Sequence, residues 1–266
     1  PEAFLQAFLP SFCRQCDLVI APTQSIKVLL RDYGVDAQIK IVPNGVDLNK
    51  FRPRKQEFQR EELGLDPNDL VLIYVGRLSP EKNLTMLLRA FAGAQAAVDN
   101  LRLIIVGEGT ELDNLRDWCE RGKISNVVRF TGGTAYHAIS GYLNMADVFV
   151  TTSVSEVHPL SIIEGMAVGL PAIGIDSPGV GDIIQHNING MLCRNDLADF
   201  TARLVRLVLD DSLRSRLASG ATQTARQYDI RRTSSQLHEQ YQELIDFKAK
   251  DPIVIRKKLS IGRFFG

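Results

Sequence analysis

The sequence predicts an α/β fold built on a doubly wound parallel sheet, and three observations predict it. Short apolar runs rich in Val and Ile recur without strict alternation, as expected of strands buried on both faces. Amphipathic segments separate them, giving strand, helix, strand, helix almost throughout. The residues of strongest chemical character follow directly on the apolar runs, where such a sheet carries its ligand crevice.

In chain order the strand candidates are DLVIAP (17–22), IKIVP (39–43), LVLIYVG (70–76), LRLIIVG (101–107), VVRFTG (127–132), ADVFVTT (146–152) and PAIGI (171–175). The helical stretches between them are SIKVLLRDYG, LTMLLRAFAGAQAAV, ELDNLRDWCERG, AISGYLNM and PLSIIEGMAVG. Beyond the last strand, Leu213 and Leu217, and then Leu237, Tyr241 and Leu244, recur at helical spacing. Pro43, Asn44 and Gly45 punctuate the chain before a highly charged stretch. Residues 1–43 therefore read as the last helix–strand–helix–strand of a preceding domain, and 44–54 as an interdomain crossing. The main sheet domain spans 55–228, a C-terminal crossover helix 229–247, and a basic tail with Phe264 and Phe265 covers 248–266.

A chain of 266 residues can bury a sizeable core. Lys plus Arg and Asp plus Glu each total 31, a balance that gives no sign of a nucleic-acid partner. No apolar run is long enough to span a bilayer and no signal peptide is visible. Because the chain opens with Pro1 rather than Met, the expectation is a piece of a longer protein. Cys13, Cys16, Cys119 and Cys193 include one C-x-x-C but lack a second ligand pair for zinc, so they read as reduced thiols of a cytoplasmic protein.

Two stretches carry the chemistry. In YVGRLSPEKNL, Arg77 follows a strand and Lys82 stands where the next helix begins, so a planar guanidinium and a compact ammonium can clamp a diphosphate. In SEVHPLSIIEGMAVGLP, Glu156 lies in a strand-end loop, Pro159 suits a first helical turn, and Glu164 falls inside the helix. The amides around His158, Leu160 and Ser161 are then free donors for phosphate oxygens, and the two carboxylates can accept hydrogen bonds from sugar hydroxyls. The alternative is plain: Arg77 and Lys82 as solvated charges, and Glu164 as a helix-dipole partner worth ~0.3–1 kcal/mol. That alternative leaves Glu156 without a role.

Arg77…Lys82 with Glu156-x7-Glu164 resembles the donor half of GT-B retaining glycosyltransferases of the family 4 (group 1) type. The likeness runs from about residue 10 to 246, through CDLVIAPTQSIKVLL, VPNGVD, VGRLSPEKN, LIIVGEGTELDNL, FTGG and NMADVFVTTS. It implies a Rossmann-like nucleotide-sugar domain with a remnant of a second, acceptor-binding one. It also implies that Arg77 and Lys82 bind the pyrophosphate, Glu156 the transferred sugar and Glu164 the ribose. His158, Pro159, Leu160 and Ser161 fall in the segment that meets sugar and phosphate, Gly133 and Thr134 where the base binds, and Gly76 where backbone approaches the phosphates. The bacterial diacylglycerol glucosyltransferases look most similar, which implies a lipid acceptor, and the tail KLSIGRFF suits peripheral contact with the inner face of a membrane.

Three positions depart from the family's pattern: Gly165 for Ala, Asp182 for Glu, and His158 for an aromatic residue. No Asp-x-Asp occurs to hold a divalent ion, so the sequence implies neither metal nor other cofactor. Two rival readings stay open, a nucleotide-sugar-binding module without catalysis and a dinucleotide-dependent oxidoreductase. The second rests on VGEGTELDNL, a G-x-G without its third glycine.

Overall fold

The computed structural model describes residues 2–54 and 60–250. It opens with a small unit: α1 (Glu2–Cys13), β1 (Val19–Ala21), α2 (Gln24–Asp32) and β2 (Ile39–Ile41), the strands pairing in parallel. Thr23 starts α2 because its Oγ1 accepts from the Ile26 amide at 3.2 Å. Cys13, Ala21, Val35 and Ile39 form this unit's own small core.

The main sheet is wound from β3 (Leu70–Val75), α3 (Leu84–Gln95), β4 (Leu101–Val106), α4 (Leu112–Arg121), β5 (Val128–Gly132) and α5 (Tyr136–Asn144). It continues with β6 (Val148–Thr151), α6 (Leu160–Ala167), β7 (Ala172–Ile175), α7 (Val180–Ile183) and β8 (Gly190–Cys193). All strands are parallel in the order β5-β4-β3-β6-β7-β8. The chain thus steps outward from β3 on one side, then returns to β3's other side with β6 and steps outward again. Loops leaving β3 and β6 diverge at that switch and open a crevice between them.

Both faces are covered. Leu72, Leu103 and Val150 pack with Leu87, Leu88 and Phe91 of α3 and with Phe200 and Leu204 of α8 (Leu197–Leu209). Val71, Ile73 and Phe149 pack on the opposite face with Ile162, Ile163 and Met166 of α6 and with Ala221 of α9 (Asp211–Ala225). Burial of β3 on both sides is why its sequence is a continuous apolar run.

The seven expected strands form where the sequence places them. The eighth, β8, and the helix α8 were not anticipated. β8 has only four residues, yet Asp196 caps α8 through its side chain and Phe200, Leu204 and Leu207 recur behind it. The 44–54 crossing is more than a linker: Val46 and Phe51 are each 1% exposed and belong to the sheet domain's core. Val46 is also stitched to the far end of the chain, its amide donating to Tyr228 and its carbonyl accepting from Ile230. From there α10 (Ile230–Lys250) runs back to the small unit, where Lys248 pairs with Asp17 at 2.6 Å. The helix therefore passes the expected end at 247, and the rest of the tail, Phe264 and Phe265 included, lies outside the described residues.

Two of the departing residues acquire physical reasons. A Cβ on Gly165 would stand 2.8 Å from the ring of the buried Phe149, so glycine here makes room for a core aromatic. Asp182 accepts from the Gly179 amide at 3.1 Å and from the Ser25 amide at 3.2 Å, tying α7 to the start of α2 across the two units. Helix propensity favours Ala over Gly by up to ~1 kcal/mol, whereas overpacking a core costs typically ~1–3 kcal/mol. Gly165→Ala is therefore expected to lower the unfolding free energy by about 1 kcal/mol in a denaturant titration; a gain would show that Phe149 gives way.

Candidate functional site

The loop leaving β3 is fixed by its neighbour after β4. The Leu78 amide donates to the Glu108 carbonyl at 2.9 Å and the Leu78 carbonyl accepts from the Glu111 amide at 3.0 Å. This close approach requires Gly107, whose φ is +144° and whose Cβ would collide with the Gly76 carbonyl. Gly109 faces the Leu78 carbonyl in the same way. The glycines of VGEG thus serve loop-to-loop packing, which removes the motif that suggested a dinucleotide.

Behind the loop, the buried Tyr74 hydroxyl donates to the Arg77 carbonyl at 2.9 Å. Asn83 takes a left-handed conformation at φ +51° to start α3, and the Thr152 hydroxyl lies 3.0 Å from both the Lys82 and Asn83 carbonyls. The segment after β6 therefore holds the backbone that presents Lys82. It also supplies Glu156, whose Oε1 accepts from Lys82 Nζ at 2.6 Å, the two side chains being 12% and 18% exposed. The sequence sets both residues at strand ends of one crevice, but does not show that they pair directly across 74 positions. Gly179 closes the loop from the α7 side, since a Cβ there would press on the Glu156 carbonyl.

A hollow of about 120 Å³ lies at the β3–β6 switch, lined by Gly76, Arg77, Lys82, Glu156, Pro159 and Ser161 among others. Arg77 is exposed, and its guanidinium has no hydrogen bond or ion pair among the described residues, though Glu81 lies close enough to feel its charge. Pro159 is the N-cap of α6 rather than its first residue, and the first bond of that turn joins the Ile162 amide to the Pro159 carbonyl. The Leu160 and Ser161 amides have no carbonyl within the helix to meet. The hollow thus has an unpaired cation, a cation held by a carboxylate, and a helix N-terminus. An adjoining hollow of about 220 Å³ shares Gly76 and Arg77 and continues to Glu108, Gly133 and Thr134 across the ends of β4 and β5.

Three other residues expected at the site stand apart from these hollows. Glu164 lines neither; it is 4% exposed, and its Oε1 accepts from Tyr136 Oη at 3.0 Å. Burial raises its pKa, with the Tyr136 hydrogen bond opposing, while Tyr136 is itself pushed up to about 12 by burial and by Glu164. His158 turns its side chain away from the diphosphate hollow to pack edge-on against Tyr228, ring centroids 5.6 Å apart. Its ring is buried, so its pKa falls, against an opposing pull from Asp182. The Leu160 side chain packs onto the core beneath α6. Sequence reasoning missed Tyr74, Glu108, Tyr136 and Thr152, whose roles depend on partners remote in the chain. Among the described residues no group of three or more His, Cys, Asp or Glu could hold a metal.

A family model described as Glycosyl transferases group 1 matches residues 55–224, and one described as Glycosyltransferase Family 4 matches residues 2–50. The chain belongs to the group 1 glycosyl transferases. It is 33% identical over 186 residues to alpha-monoglucosyldiacylglycerol synthase of Streptococcus pneumoniae, covering 68% of this chain and 42% of that protein. Over 241 residues it is 31% identical to D-inositol 3-phosphate glycosyltransferase of Corynebacterium jeikeium, covering 86% and 58%. Anabaena Alr3699/HepE, solved in complex with UDP and glucose, superimposes with a TM-score of 0.81 at 25% identity, covering 91% of this chain and 68% of that one. The fold is that of GT-B glycosyltransferases, and the chain spans about half the length of the curated relatives it matches.

Two outcomes follow from the electrostatics. Because burial raises the folded-state pKa of Glu164, its contribution to stability is fully present below the ordinary glutamate value of 4.5 and is lost as pH rises through the folded-state value. Glu164→Gln is expected to raise the thermal midpoint at neutral pH, with the gain fading below about pH 4.5; an equal gain at every pH would contradict this. For the mostly buried ion pair, a double-mutant cycle of Lys82→Met and Glu156→Gln should give a coupling of about 1–3 kcal/mol, and additive losses would deny that the pair is formed in solution.

Proposed function

We propose that the chain is the donor-binding part of a retaining glycosyltransferase that moves a hexose from a nucleoside diphosphate sugar to a lipid acceptor. The observation that carries this reading is the unpaired Arg77 guanidinium, which shares one hollow with Lys82, Glu156 and the N-terminus of α6 at the sheet's switch point. The diphosphate binds there, its oxygens facing Arg77 and the α6 amides. Lys82 then exchanges Glu156 for phosphate, and the freed carboxylate accepts hydrogen bonds from the sugar's hydroxyls. As the glycosidic bond breaks, negative charge grows on the leaving diphosphate, and two cations and a helix terminus already aimed at it stabilise the transition state. The base lies in the adjoining hollow near Gly133 and Thr134; Glu164 holds the ribose only once Tyr136, which covers its Oε1, swings aside. Family membership supports retention, and no metal or other cofactor is needed on this reading.

The acceptor is a diacylglycerol or a related glycolipid, in keeping with the named S. pneumoniae relative. The protein acts peripherally at the inner face of a membrane; no helix among the described residues is long and apolar enough to cross one. In the full-length enzyme, Arg77→Ala or Lys82→Ala is expected to lower turnover by about two orders of magnitude, the scale of losing one such donor. Unchanged turnover in either variant would refute the assignment. Nucleotide-sugar binding without transfer by the full-length protein would instead favour a binding module.

A further inference from the structure

We propose that Tyr136 is a built-in competitor of the nucleotide: its hydroxyl holds the place of a ribose hydroxyl on Glu164, and its expulsion sets the affinity for the donor. This rests on the reading above, in which Glu164 serves the ribose. Tyr136 is the first residue of α5, two positions after Thr134 of the hollow assigned to the base. Glu164 lies three positions along α6 from Ser161 of the diphosphate hollow, so the two share one face of that helix. The contact of Tyr136 Oη with Glu164 Oε1 at 3.0 Å thus closes off the carboxylate beside both hollows, and neither residue lines either one.

Three observations make this contact replaceable. Tyr136 is 52% exposed while Glu164 is buried, so only the hydroxyl tip reaches the carboxylate and the ring stays at the surface. The ring leans edge-on against Phe51, centroids 5.6 Å apart, with Lys50 Nζ 5.9 Å from its own centroid. It can rotate away from these contacts without opening the core. Glu164 Oε2, in turn, has no hydrogen-bond partner among the described residues and is not sealed from solvent. One phenol answers one carboxylate oxygen, whereas the vicinal diol of a ribose answers both. The backbone before Tyr136 also yields readily: Gly132 has φ +74°, Gly133 follows, and Ala135 gives α5 no side-chain cap. Binding therefore exchanges one hydrogen bond on a buried carboxylate for two, and Tyr136 weakens it by the bond that must first be given up.

The test is calorimetric titration of the chain with UDP, 2′,3′-dideoxy-UDP and inorganic pyrophosphate. Tyr136→Phe keeps the ring and its contacts with Phe51 and Lys50 but removes the hydroxyl. UDP is expected to bind this variant roughly threefold to tenfold more tightly, although its ligand-free thermal midpoint falls because Glu164 loses a partner. Affinities for the dideoxy nucleotide and for pyrophosphate, which offer no diol, should match those of the unaltered chain. In the unaltered chain labelled with ¹³C-tyrosine, UDP should shift the Tyr136 ring resonances saturably and pyrophosphate should leave them in place. A residue that merely positioned Glu164 for the ribose would give the opposite sign, with weaker UDP binding in Tyr136→Phe. UDP affinity that falls or holds in the variant, equal tightening with the dideoxy nucleotide, or a Tyr136 signal unmoved by UDP overturns the inference and leaves the donor site standing. Failure of both UDP and pyrophosphate to bind the unaltered chain overturns the donor reading, and this inference with it.

Discussion

The site depends on one topological constraint: β3 and β6 are neighbours in space, while the chain between them runs outward through β4 and β5 and back. Two loops that leave adjacent parallel strands for opposite sides of the sheet must part, and the gap between them is a crevice. Lys82 comes from one loop and Glu156 from the other, so their ion pair spans the gap. Thr152 and Gly107 hold the flanking backbone in register from either side. A shift of either loop by one residue would separate the charges and leave each buried alone, a cost of several kcal/mol.

The electrostatics of the crevice suit the ligand proposed above, an anionic diphosphate flanked by neutral sugars. Lys82 and Glu156 neutralise each other without one, which keeps two mostly buried charges tolerable. Arg77, exposed and unpaired, bears no such desolvation penalty and can meet an incoming anion first. Glu164 is the opposite case: its burial disfavours the charged form, and among the described residues the Tyr136 hydroxyl compensates. A carboxylate kept at such a cost to stability fits a functional position better than a structural one.

Much of this was legible from the residues. Strands of the main sheet declare themselves because burial on both faces makes them continuous apolar runs, and β3, β4, β6 and β7 fall where LVLIYVG, LRLIIVG, ADVFVTT and PAIGI stand. Arg77, Lys82 and Glu156 could be placed near one another because each follows the carboxyl end of a strand. Illegible features depend on contacts remote in sequence. The pairing of Lys82 with Glu156, the room that Gly165 leaves for Phe149 and the bond from Asp182 to Ser25 all require knowing which elements are neighbours. His158 was placed by its backbone, in the loop that serves the crevice; its side chain packs that loop against Tyr228, a partner that no periodicity within a loop could name. β8 escaped notice because four residues are too few to establish a pattern.

The most direct measurement is a crystal structure of the chain with a nucleoside diphosphate bound. The account predicts the diphosphate against Arg77 and the first turn of α6, with Lys82 Nζ moved from Glu156 Oε1 onto a phosphate oxygen. A diphosphate bound elsewhere, or bound there with the Lys82–Glu156 pair still intact, would contradict it.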